Sequence, residues 1–193
     1  MGESCEDTYT KAQSGAFMVE TAISGGNWPP DACATACRAA LAALTHRLPL
    51  RAGDSAPSFL LDIELADDDR VALINARYRN RDGTTNVLSF PAHVAAEAAV
   101  LQGDTPCGTD SAAARPVPLG TLILADGVIA REAHAQDKFI ANHLSHLVVH
   151  GVLHILGFDH DIAERAGIME TAEQNILAGL GIGDPYSLRA LDA

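Results

Sequence analysis

The stretch His150-Gly151-Val152-Leu153-His154-Ile155-Leu156-Gly157-Phe158-Asp159-His160 decides how this chain must be organised. Histidines at 150 and 154 lie one turn apart on a single helix face, so their imidazoles converge on one point. Gly157 can take the left-handed conformation that ends a helix, after which the chain can fold back and bring His160 to the same point. Three neutral imidazoles with a fourth position open describe a catalytic zinc site, because a structural zinc normally has all four positions filled by protein. The expectation is one Zn2+ per chain, held by His150, His154 and His160.

The spacing H-x3-H-x2-G-x2-H is that of the longer zincin motif, with one difference. Where that motif carries its general-base glutamate, this chain has Gly151, so peptide hydrolysis by that route lacks a proton acceptor. Asp159, beside the third histidine, is a candidate to orient a ligand imidazole or accept a proton, with turn formation as the plain alternative. His143 and His146 lie on nearly the same face as His150 and are read as structural.

The 193 residues suit a single domain over 1–193, and with 48% of them apolar there is material for a real core. No apolar run approaches the length needed to cross a bilayer, so no membrane is expected. The opening Met1-Gly2-Glu3-Ser4-Cys5-Glu6-Asp7 is acidic and polar, wrong for a secretory or organellar signal, and a cytoplasmic location is expected. Cys5, Cys33, Cys37 and Cys107 lack Cys-x2-Cys spacing, which indicates neither a disulfide framework nor a thiolate zinc site. A net charge of −12 argues against a protein that coats nucleic acid through a basic surface. Any such contact must be local.

Outward from the histidine stretch, hydrophobic patterning predicts an α+β fold: one small mixed sheet of about four strands covered by about five helices, with the metal-binding helix packed on it. Residues 1–15 read as a flexible N-terminus. Strands are expected at 17–23, 58–65, 87–90 and 119–125. Helices are expected after Pro29-Pro30-Asp31, after Asp67-Asp68-Asp69, from a cap at Asp126, from about Ile140 or Asn142 to Leu156, and from a capping box at Asp161 and Glu164. In the last helix Met169, Ala172, Ile176 and Leu180 form the buried stripe. Residues 92–117, rich in alanine, glycine and proline, read as a surface insertion.

Asn75 to Tyr78 with Arg79, then Thr85-Asn86-Val87-Leu88-Ser89-Phe90-Pro91, Leu119-Gly120, and the histidine stretch together resemble the YbeY family of single-strand-specific, metal-dependent endoribonucleases. The resemblance spans about residues 70–91 and 119–180. It implies an enzyme of bacterial ribosomal RNA maturation, notably at the 3′ end of 16S rRNA, and of ribosome quality control. It further implies that His150, His154 and His160 bind a metal, usually zinc, and that Arg79 is important for activity. Two departures are visible: Thr121 stands where the family commonly has an acidic residue, and the segment 92–117 is longer than usual.

The chemistry expected is cleavage of an RNA phosphodiester. Zinc on three imidazoles brings the pKa of bound water to about 7 and polarises a phosphoryl oxygen. Arg79, whose planar fork matches a phosphate, can hold the substrate or stabilise charge in the transition state. Arg77, Arg79 and Arg81 gather positive charge that is scarce elsewhere, although a solvated helix end would look the same. With so acidic a chain, RNA binding is expected to be weak and salt-sensitive, or to lean on the ribosome or small-subunit proteins. The alternatives are another zinc hydrolase of peptidase type, and a non-catalytic zinc-containing ribosome assembly factor.

Overall fold

The computed structural model describes residues 8–48, 59–92 and 116–187. Its strands are β1 (Tyr9–Ser14), β2 (Phe17–Ile23), β3 (Phe59–Ala66), β4 (Val87–Pro91) and β5 (Val117–Ala125). Its helices are α1 (Ala32–Arg47), α2 (Asp68–Arg79), α3 (Asp126–Ala135), α4 (Ile140–Ile155) and α5 (Ala163–Gly179). The strands form one sheet in the order β1-β2-β3-β5-β4. Its centre, β2-β3-β5, is parallel, and both edge strands run antiparallel. The fold is α+β, with five strands where four were expected, and all five expected helices are present.

Alternation along the strands sorts the two layers. Phe17 and Val19 of β2 and Phe59, Leu61, Ile63 and Leu65 of β3 point to the face covered by α1 and α4, on which α5 packs in turn, and join Leu122 and Leu124 of β5 in the main core. Ile123 and Ala125, on the other face of β5, meet Val71 of α2, with Ala66 and Leu88, in a smaller cluster. β5 is therefore covered on both sides, which is why its apolar run is nearly continuous. α4 lies against the sheet and buries Leu144, Leu147, Val148, Val149, Val152, Leu153 and Ile155.

The added strand is β1, in a segment expected to be flexible. A two-residue turn at Gly15-Ala16, with Gly15 at φ +57°, pairs Tyr9–Ser14 antiparallel with β2. Edge pairing uses backbone groups, so the polar side chains of β1 do not oppose it. Residues 1–7, and most of the expected insertion at 92–117, lie outside the described residues; β5 starts at Val117, two residues before the expected Leu119.

Two capping expectations are corrected. α5 begins at Ala163 after Ile162 with no side-chain cap, and Asp161 lies 3.7 Å from Arg165 instead. The Asp126 carboxylate accepts from the Asn27 and Gly127 amides, both at 2.6 Å, while Asp68 of α2 reaches across to accept from Val128 N–H at 3.0 Å. Asp67 does cap α2, accepting from Arg70 N–H at 2.7 Å.

Candidate metal centre

α4 delivers His150 and His154 on one face, and the chain then turns back on itself. Gly157 takes φ +83°, the Phe158 amide bonds to Leu153 O and the Gly157 amide to His154 O, both at 3.0 Å, completing a Schellman motif. The return brings His160 to the pair. One ring nitrogen from each of His150, His154 and His160 lies within 4.8 Å of the others, with the first two rings half-buried and the third exposed.

The tautomers follow from the partners. His150 Nδ1 lies 2.8 Å from Glu173 Oε1, and His154 Nδ1 lies 3.0 Å from the Phe158 carbonyl. Both partners only accept, so both Nδ1 atoms carry a proton, and in the neutral form in which a histidine ligates both Nε2 atoms present lone pairs. Those Nε2 atoms are 3.1 Å apart. Two lone pairs cannot hydrogen-bond to each other, whereas a cation between them satisfies both. Tetrahedral ligands at zinc-nitrogen bond lengths sit about 3.3 Å apart. The His150–His154 spacing therefore fits a divalent ion, and the His160 nitrogen lies close enough, within 4.8 Å, to join it as a third candidate ligand. Burial, together with the neighbouring His150 and His160, pushes the His154 imidazole below its usual pKa and keeps it neutral, as a ligand must be.

Gly151 has a packing cause. A Cβ there would lie 2.7 Å from Leu122 Cδ2 and 3.2 Å from Ser89 Oγ, so the bare helix face at 151 rests directly on side chains of β5 and β4. A glutamate at this position would have to displace the fully buried Leu122 side chain.

The histidines open on a cleft of about 800 Å3 rimmed by Arg79, Arg81, Ser89 and Asp159. Arg79, the last residue of α2, donates from Nη2 to Ser89 O at 2.9 Å, which ties it to the edge strand beside the histidines. Asn75, buried in the same helix, donates to Gly83 O at 2.9 Å and pins the loop that carries Arg81. Arg77 parts from the other two and lies over the Tyr78 ring. Asp159 accepts from the His160 amide at 2.8 Å and so shapes the loop bearing the third histidine.

The carboxylate that meets a candidate ligand ring is that of Glu173, a residue the sequence reading did not single out. Fully buried in α5, Glu173 receives His150 Nδ1, His146 Nε2 at 3.1 Å, and the Tyr186 hydroxyl. Burial pushes its pKa up, but these three hydrogen bonds outweigh burial and hold it at about 2. The signal was present in sequence as a carboxylate set inside the stripe Met169, Ala172, Ile176. His143 bonds Glu132 at 2.8 Å, and Asn86 donates to the same carboxylate at 3.1 and 3.2 Å. These three form a structural clasp between α3, α4 and the start of β4.

An open three-histidine centre on an arginine-rimmed cleft defines the class: a metal-dependent hydrolase suited to an anionic substrate. The family model described as endoribonuclease YbeY matches residues 32–181. Endoribonuclease YbeY of Azorhizobium caulinodans is 42% identical over 175 residues, 89% of this chain and 98% of that protein. Those of Parvibaculum lavamentivorans and Rhodopseudomonas palustris are 43% and 38% identical, over 87% and 97% of this chain and 84% and 91% of theirs. Among solved structures, TM1509 from Thermotoga maritima aligns with a TM-score of 0.46 and 17% identity over 83% of this chain and 91% of that one. The chain belongs to the YbeY endoribonuclease family.

Proposed function

We propose that this protein cleaves single-stranded RNA phosphodiesters with a Zn2+ held by His150, His154 and His160. Its proposed cellular task is maturation of the 16S rRNA 3′ end and ribosome quality control, in the cytoplasm, on the ribosome or with small-subunit proteins. The observation that carries the chemistry is the pair of Nε2 lone pairs 3.1 Å apart, facing a cleft rimmed by Arg79 and Arg81. A bound zinc supplies Lewis acidity toward a phosphoryl oxygen and toward water.

The chain's own residues do the rest. Arg79 spends one N–H on Ser89 O, which fixes the guanidinium plane and leaves its other donors for a phosphate oxygen. Arg81 adds charge at the rim, so the substrate meets a local positive patch on a protein of net charge −12. Asp159, exposed beside His160 at the cleft, is placed to accept a proton from the attacking group. Gly151 stands where a peptidase of this spacing requires its glutamate, and the packing there opposes a larger side chain, which favours RNA over peptide.

The test incubates wild type and His154→Ala with single-stranded RNA, duplex RNA and casein, with zinc content measured alongside. Expected are cleavage of the single strand alone by wild type, and loss of both zinc and cleavage in a His154→Ala protein that still folds. Casein hydrolysis would establish the peptidase reading. Unfolding of His154→Ala together with no cleavage by wild type would establish a structural zinc in an assembly factor.

A further inference from the structure

Histidine ligates as the neutral imidazole, so a divalent ion held by these three residues keeps its full charge unless the surroundings answer it. We infer that Glu173 is the positioning residue of this centre: its carboxylate fixes the His150 ring with Nε2 toward the ion and supplies the compensating negative charge. This rests on the metal reading above and names a residue outside the three histidines.

The two helical histidines are not held alike. His154 donates its Nδ1 proton to a neutral carbonyl in its own turn, Phe158 O at 3.0 Å, whereas His150 donates to a carboxylate on another helix at 2.8 Å. An ionised acceptor makes the stronger bond and pushes more electron density to the far ring nitrogen. His150 is therefore the stronger donor of the pair, and α5 is part of the metal site. Glu173 in turn is fixed by His146 and Tyr186, the latter packed edge-on to the His146 ring at 5.6 Å. Three donors satisfy a side chain that is 1% exposed.

Glu173→Gln removes the charge and keeps the shape. The new amide must face one of the former donors, and His146 can adjust: its Nδ1 has no hydrogen-bond partner among the described residues, so exchanging tautomers sacrifices nothing there. The variant is expected to fold. The full-length protein, stripped with chelator, is titrated with Zn2+ against a chromophoric competitor, and its Co2+ form is read by visible absorption. Glu173→Gln should weaken Zn2+ binding about 10- to 100-fold and shift the cobalt bands, while the metal-free protein melts cooperatively. Tyr186→Phe, which takes away one donor to the same carboxylate, should weaken binding about two- to tenfold. A folded Glu173→Gln with wild-type affinity and cobalt spectrum overturns the inference. If Glu173→Gln does not fold, unchanged affinity and spectrum in Tyr186→Phe overturn it instead. Wild type that binds neither ion overturns it together with the metal reading, whereas RNA cleavage by zinc-loaded wild type beside unaltered variants sinks this inference alone.

Discussion

Gly151→Ala isolates the contact on which the geometry of the cleft rests. The added methyl would sit 2.7 Å from Leu122 Cδ2 and 3.2 Å from Ser89 Oγ. Leu122 is 0% exposed, so its side chain can yield only by disturbing the main core, and overpacking of this kind costs about 1–3 kcal/mol. Replacing a mid-helix glycine by alanine returns about 1 kcal/mol of helix propensity. The net expectation is a loss of about 0–2 kcal/mol, read as a lower urea midpoint at unchanged slope for the metal-free protein. Function should suffer more than stability. If α4 lifts off the sheet, His150, His154 and the Schellman turn move as one unit, so zinc affinity should hold. Arg79 stays with Ser89 on β4, and a displacement of about 1 Å between metal and arginine can cost about a hundredfold in turnover. A variant more stable than wild type by the full propensity gain, cleaving RNA at the wild-type rate, would refute the close contact and the account of the missing glutamate with it.

Arg79→Ala should lower RNA cleavage by about a hundredfold with zinc content unchanged, measured by single-turnover kinetics beside metal analysis; equal rates would remove Arg79 from the mechanism. Burial holds the His143 pKa below its ordinary value, against the opposing pull of Glu132. Because the folded state thus binds fewer protons than the unfolded one, stability from this group is present above about pH 6.5 and is lost as pH falls below it. Metal-free His143→Gln should accordingly lose less stability than wild type between about pH 7.5 and 5, followed by urea midpoints. Asp67→Ala should destabilise by about 1 kcal/mol through loss of the bond from Arg70 N–H, and an unshifted urea midpoint would show that this cap contributes nothing.

What could be read in the sequence was local. The separation of His150 from His154 and the glycine at 157 specify a face and a helix end, because both follow from 3.6-residue periodicity and one permitted backbone conformation. The alternation in Phe59–Ala66 likewise determined a strand and which of its side chains face the core. Tertiary structure decided what depends on residues far apart in the chain. Tyr9–Ser14 became a strand because β2 offered an edge, not because its own side chains demanded one. The arginine cluster divided because Ser89 O lies within reach of Arg79, while Arg77 turns to Tyr78. The same holds for the cap of α3, which comes from Asp68 on another helix. It holds most of all for Glu173, 23 residues from His150: periodicity marks it as a carboxylate on a buried face, and only the packing of α5 against α4 determines which proton it receives. A charge can be buried only where donors meet it, and the meeting of two donors from α4 and one from the turn at Tyr186 on a carboxylate of α5 is a property of the assembled fold.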